Sequence, residues 1–213
     1  MIERATGLIL RTRLLTETSL IVQWLTPDLG RIATVAKGAR RAKSPFAGKL
    51  DLFYLADFSF SRSRRSELHT LREVGLRETH RPLRTELGYL RQASYCAALI
   101  ELTTETDTPL PGVSELMRGL LAHLPSQPPR ALTVFAFEMK LLHELGQLPD
   151  LTNHNLSQGA RRILADLSHQ CWPALAQLKL SELQSREIRQ FLHGFLIYHL
   201  GKIPAGRHTA LGA

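Results

Sequence analysis

A switch in hydrophobic period near Pro82 constrains this chain most. Before it, apolar residues alternate with period 2 between short turn segments, and after it they recur at three- and four-residue spacing. Such a pattern reads as an α+β chain, with a β-module over 1–80 followed by an all-α helical bundle over 81–213.

Five strands are expected in the first module. Gly7–Leu15 puts Leu8, Leu10 and Leu14 on one face and Ile9, Arg11 and Arg13 on the other. Ser19–Thr26 carries Leu20, Val22 and Trp24 in phase, and Pro27-Asp28-Leu29-Gly30 turns the chain into a third strand, Arg31–Ala36. Lys37–Lys49 breaks the pattern with Gly38, Pro45 and Gly48. Leu50–Ser61 is the fourth strand, with Tyr54, Phe58 and Phe60 in phase, and Leu68–Val74 the fifth. Five short strands are too few for an immunoglobulin-type sandwich. They match a small closed Greek-key barrel of OB type, with an SH3-like barrel of similar count left open by pattern alone.

Helices are expected over Leu83–Thr103, over Gly112–Leu124, and from the Pro129 region to a cap at Gly146. Leu151–Ser157 reads as a loop and Gln158–His169 as a weaker helix. Ser181 and Gln184 form the capping box of a last helix, which buries Ile188, Phe191, Leu192 and Phe195 and ends at Gly201. The longest uncharged runs, such as Leu167–Leu178, are too short to span a membrane, and no signal peptide is visible at Met1-Ile2-Glu3-Arg4. Cys96 and Cys171 are too few for a disulfide framework and read as reduced core thiols, with cytoplasm the default compartment.

Charge divides the chain at nearly the same place. Residues 1–92 hold 17 Lys/Arg against 9 Asp/Glu, whereas residues 93–213 hold 10 of each. The whole net charge of +8 therefore belongs to the β-rich part. A basic β-module points to a polyanion partner, and to nucleic acid first. Within it, Lys37, Arg40, Arg41 and Lys43 crowd one loop with small residues between them, which lets a phosphate chain approach closely. Arg62, Arg64 and Arg65 occupy the expected turn between strands four and five, and Arg11 and Arg13 share a strand face. In an OB barrel such groups line a strand face and its rim loops, where single strands bind. The plainer reading is a solvated basic surface without a ligand. Trp24, Phe53, Tyr54, Phe58 and Phe60 read as core, and Phe46 in the basic loop is the best exposed stacking candidate. Arg161-Arg162 is the weaker candidate for an acidic partner tail on the helical module.

Catalysis finds little support. The chain has no Gly-rich phosphate loop, no D-x-D or E-x-x-H arrangement, and scattered histidines, with His193 and His199 on different helix faces. His154, between Asn153 and Asn155, has no Cys/His pair nearby at metal spacing.

The residues resemble the RecO family of bacterial recombination mediators. The likeness runs through Gly7-Leu8-Ile9-Leu10-Arg11-Thr12-Arg13, Glu17-Thr18-Ser19-Leu20, Leu25-Thr26-Pro27-Asp28-Leu29-Gly30-Arg31 and Val35-Ala36-Lys37-Gly38-Ala39-Arg40-Arg41. It continues through Leu50-Asp51-Leu52-Phe53, Leu68-His69-Thr70-Leu71-Arg72-Glu73, Phe137–Gly146, Leu148-Pro149-Asp150-Leu151, Tyr198-His199-Leu200-Gly201 and Ile203-Pro204. The resemblance implies an OB fold followed by a helical domain, without covalent chemistry. It implies binding of single- and double-stranded DNA, annealing of complementary strands, and partnership with RecR. It also implies binding of the acidic tail of single-stranded-DNA-binding protein on the helical domain, so that RecA loads onto coated gaps, and a place at the nucleoid. Many members carry two C-x-x-C pairs that bind zinc after the Leu-Pro-Asp-Leu stretch. Here Thr152-Asn153-His154-Asn155 stands in that place and Cys171 is alone, so no metal is expected. The runner-up reading is an interaction scaffold that holds a protein partner and binds DNA only incidentally.

Overall fold

The computed structural model describes residues 2–152 and 156–212. The expected loop over Leu151–Ser157 falls partly outside the described residues, and His154 with Asn153 and Asn155 falls wholly outside. Five strands, β1 (Ile2–Leu14), β2 (Leu20–Thr26), β3 (Gly30–Ala36), β4 (Leu55–Ser61) and β5 (Leu68–Glu78), close into a barrel in the order β1-β2-β3-β5-β4. This is the OB-type arrangement expected from the pattern.

Closure depends on the length of β1. Ile2–Leu8 pairs with β4 and Leu8–Leu14 with β2, so one strand belongs to both halves of the wall. It bends where the register slips between Ile9 and Arg11, a bulge that leaves Leu10 unpaired with β2. The bulge corrects the expected alternation. Ile9 joins the barrel core, while Arg11, beside Gln23, is exposed, so the two no longer share a face. Leu14, grouped with Leu8 and Leu10 by the pattern, is 63% exposed.

Inside the barrel, Ile9, Val22, Trp24, Ile32, Phe58, Phe60, Leu71 and Val74 pack together. Trp24 stacks on Phe58 with ring centroids 4.0 Å apart and donates its indole N–H to Thr34 Oγ1 at 2.8 Å, which satisfies its one buried polar group. Phe46 belongs to this core as well, only 6% exposed, and the expectation of an exposed stacking ring is overturned. The fourth strand begins at Leu55 rather than Leu50. Phe53 sits at φ +63°, a conformation that breaks an extended run, and its carbonyl is bound by His80 Nδ1 at 2.7 Å.

The helical part contains α1 (Leu87–Thr103), α2 (Pro111–His123), α3 (Ala131–Glu144), α4 (Gln158–His169), α5 (Trp172–Ala176), α6 (Glu182–Leu200) and α7 (Arg207–Ala210). Pro129 lies just ahead of α3 rather than in its first turn. The Ser181–Gln184 capping box opens α6, and Gly201 closes it in the left-handed conformation. On α6, Ile188, Leu192 and Leu196 are buried. Phe191 and Phe195 are only half-buried, in place of the full burial expected. Cys96 is buried in α1, but Cys171 is exposed at the start of α5, so only one of the two thiols is a core group. Among the described residues no helix is long and apolar enough to cross a membrane.

The chain divides into two compact units, one of residues 1–81 with 104–115, the other of residues 82–103 with 116–213. Residues 104–115 brace the barrel. Arg31 donates to the Thr104 side chain and carbonyl, Asp107 N–H donates to the Arg31 carbonyl at 2.9 Å, and the chain passes tightly over Gly30. A Cβ at Gly30 would stand 1.9 Å from the Thr108 carbonyl oxygen, and its φ of +66° also requires glycine.

Candidate nucleic-acid interface

The cations of the barrel sort by strand direction. β3 runs parallel to β5, so the loop leaving β3 and the turn entering β5 emerge at opposite ends of the barrel. Lys37, Arg40, Arg41 and Lys43 follow β3. Arg62, Arg64 and Arg65 precede β5. The structure therefore separates two clusters that the sequence pattern places on one groove and its rims.

At the β3 end the basic loop is a run of tight turns. Backbone bonds from Ala39 to Ala36, Arg41 to Gly38, Ser44 to Arg41, Ala47 to Ser44 and Lys49 to Phe46 close one after another. Phe46 anchors the run in the barrel core. The β1–β2 turn lies beside it. Arg40 N–H donates to the Thr18 carbonyl at 3.0 Å, and the Arg40 guanidinium donates to the Glu17 carbonyl at 2.9 Å. Leu14 pairs with Leu20, and Leu20 with Ala36, which brings the end of β1 to the same rim. Arg11 and Arg13 reach this rim along β1, beside Gln23 and Ile21. Arg11, Arg13, Lys37, Arg40, Arg41 and Lys43 are all exposed there. None of Arg13, Lys37, Arg40, Arg41 and Lys43 forms an ion pair among the described residues.

Arg62 is differently placed. Its Nε and Nη2 grip the Glu3 carboxylate at 2.8 and 3.1 Å, and Nη1 meets Asp107 at 2.7 Å. The hydrogen bonds it donates to Glu3, then to Asp107, hold its guanidinium more firmly protonated than usual. Two carboxylates on one guanidinium leave no positive charge over for a phosphate. Arg64 and Arg65 remain exposed at this end.

A third region has the opposite sign. Asp28, Asp57 and Glu73 line a cleft with Arg4, Thr6 and Ser59. The Arg77 side chain, and then the Thr6 hydroxyl, hydrogen-bond Asp57 and hold its carboxyl below the usual range, so it stays ionised. Three carboxylates with Arg4 at this cleft, against six exposed cations at the β3 end, give the barrel a charge asymmetry that net charge alone does not reveal. Leu14 and Leu15, exposed at the β3 end, are the residues that charge reasoning passes over.

In the helical unit, Arg130, Lys179, Arg186 and Arg189 line a cleft with Leu132, Leu178 and Leu180. Arg130 is held by the Ala176 and Leu178 carbonyls at 3.1 and 2.9 Å. Arg162 is exposed on α4, while Arg161 is half-buried. Among the described residues no three His, Cys, Asp or Glu side chains form a group that could hold a metal ion.

The chain matches the family model for the recombination protein O N terminus over residues 1–80 and that for its C terminus over residues 84–155. It is 35% identical over 143 residues to the DNA repair protein RecO of Rhodopirellula baltica, covering 67% of this chain and 53% of that one. A protein of the same name from Bacillus pumilus is 30% identical over 151 residues, covering 71% of this chain and 58% of the relative. The chain thus spans little more than half the length of these two relatives. The protein of that name from Anaeromyxobacter dehalogenans strain 2CP-C is 26% identical, with 96% of this chain and 94% of the relative covered. With the closed five-stranded barrel and the helices that follow it, two adjoining family matches establish that the chain belongs to the RecO family of DNA repair proteins.

Proposed function

We propose that this protein is a non-enzymatic recombination mediator, acting in the cytoplasm at the nucleoid. It binds single- and double-stranded DNA at the β3 end of its barrel and anneals complementary strands. It helps RecA load onto gaps coated with single-stranded-DNA-binding protein. The observation that carries this reading is the gathering of Arg11, Arg13, Lys37, Arg40, Arg41 and Lys43 on one rim, five of them without a carboxylate partner among the described residues. Such a rim neutralises phosphates and releases counterions. It also screens two backbones from each other so that their bases can meet. Partnership with RecR and delivery to RecA rest on family membership alone.

The test is fluorescence annealing of complementary oligonucleotides across a salt series, comparing the protein with its K37A/R41A/K43A variant. These three side chains make no hydrogen bond among the described residues, so their loss spares the loop. The wild type should accelerate annealing, less so as salt rises. The variant should lose the acceleration, and its single-strand salt slope should become shallower by about 2 for three lost phosphate contacts. Binding without acceleration would leave a DNA-tethered scaffold, and no binding would remove the reading.

A partner contact is supported by the helical cleft. Four cations against one carboxylate, Glu182, beside three leucines suit an acidic peptide with apolar side chains, as in the tail of single-stranded-DNA-binding protein. A labelled acidic-tail peptide should bind the wild type and lose affinity for R186E/R189E, while DNA affinity at the barrel is retained.

A further inference from the structure

We propose that Leu14 and Leu15 form an apolar wedge that contacts unpaired bases and gives the basic rim a preference for single strands over duplex. The inference rests on the reading that this rim binds nucleic acid, and it assigns the part of the nucleic acid that charge does not touch.

Leu14 ends β1 and is 63% exposed, and Leu15 opens the turn and is 46% exposed. Two consecutive leucines in water are unfavourable unless something covers them. The barrel cannot do so, because Phe46, from the loop that leaves this end, already joins the core, with Leu20, Ala39 and Leu50 packed against it. The turn is also held firmly. Leu15 N–H and Thr16 N–H both donate to the Ser19 carbonyl, Ser19 N–H returns to Thr16, and Arg40 fastens Glu17 and Thr18 to the basic loop. The leucines are thus a fixed tip rather than a loose end.

The charge around the tip selects the occupant. Arg13 precedes it on β1, and Arg40 bonds the turn directly, with Lys37 and Arg41 in the same loop. A backbone phosphate held by these cations leaves its base within reach of the tip. Only an unpaired base offers its apolar face, since in duplex both faces are stacked. Among the described residues of the barrel, Trp24, Phe46, Phe53, Phe58 and Phe60 are buried, and Tyr54 is half-buried and packed against the core.

The experiment uses the full chain and its L14S/L15S variant, with anisotropy of labelled oligo-dT and of a duplex of equal length across a salt series. Both positions are exposed, so the variant should fold, and thermal melting checks this. The inference expects a roughly tenfold loss of single-strand affinity, with duplex affinity within about twofold and salt slopes unchanged. Leu15→Trp provides a direct readout, its added emission quenched by oligo-dT but not by duplex. Unchanged single-strand affinity, or equal losses on both probes, overturns the wedge while leaving the rim's salt-dependent binding intact. Absence of DNA binding by the wild type sinks both the wedge and the reading beneath it. Binding of anionic phospholipid vesicles that L14S/L15S abolishes, with oligo-dT affinity unaltered, overturns the wedge in favour of a membrane contact.

Discussion

The Arg40 guanidinium donates to the backbone carbonyl of Glu17 at 2.9 Å, so one of the basic rim's cations is also the tie between its two loops. Its charge remains available to a phosphate, because the Glu17 acceptor is a neutral carbonyl. Arg40→Ala should therefore lower single-strand affinity more than Lys43→Ala, which removes charge alone. It should also loosen the turn. A net hydrogen bond contributes about 1 kcal/mol, so amide exchange at Leu15 should quicken roughly fivefold in R40A and stay unchanged in K43A. Hydrogen exchange read by NMR separates the two roles.

Arg62 is expected to be structural. Loss of its side chain leaves Glu3 and Asp107 facing each other without their shared cation. Arg62→Ala should cost about 1–2 kcal/mol in urea denaturation, the scale of a part-exposed network rather than a single surface pair. Single-strand affinity should change by less than about twofold, since its charge is already neutralised. A large affinity loss with unaltered stability would return Arg62 to the interface.

Phe46→Ala discriminates between a core ring and a stacking platform. A buried phenylalanine truncated to alanine costs about 3–5 kcal/mol. The variant should unfold at markedly lower urea and lose DNA affinity only in proportion to the unfolded fraction. An exposed stacking ring would give the reverse pattern, intact stability with weakened binding.

The residues that were legible in the sequence are those whose neighbours are local. Leu20, Val22 and Trp24 show their shared face through period 2, and Ser181 with Gln184 announces a helix start three residues apart. The basic loop Lys37–Lys43 was visible because charge density is a local property. Missed features depend on distant partners. Nothing near Arg62 in sequence shows that Glu3, 59 residues away, and Asp107, 45 residues away, neutralise it. A loop phenylalanine reads as exposed until the barrel that receives Phe46 exists. The β1 bulge inverts the face of everything after Leu10, and period-2 reasoning assumes no such slip. Opposite placement of the two basic clusters follows from strand direction, which alternation cannot report.

Glu138 and Arg207 give the helical unit its sharpest stability test. Glu138 is fully buried and accepts from Arg207 Nε and Nη2 at 2.7 and 2.9 Å and from the Tyr95 hydroxyl at 2.6 Å. Burial works against the charge on Arg207, but the Glu138 hydrogen bonds outweigh it and raise its pKa. Burial, and then the Glu138 charge, drives the Tyr95 phenol far above its ordinary value, so it stays a donor. The network holds the short last helix in place, with Gln92 donating to the Ala210 carbonyl at 3.0 Å. Arg207→Met leaves a buried carboxylate without its cation and should cost about 3–5 kcal/mol. Replacing the whole network, in Y95F/E138L/R207M, removes the stranded charge and should cost far less than the single variant. Urea denaturation of the three proteins checks this ordering. A triple variant less stable than R207M would mean that the network contributes net stability beyond the avoidance of an unpaired buried charge. DNA affinity measured well below the transition should match the wild type in both variants, because Arg207 is buried with its Nε and Nη2 bound to Glu138.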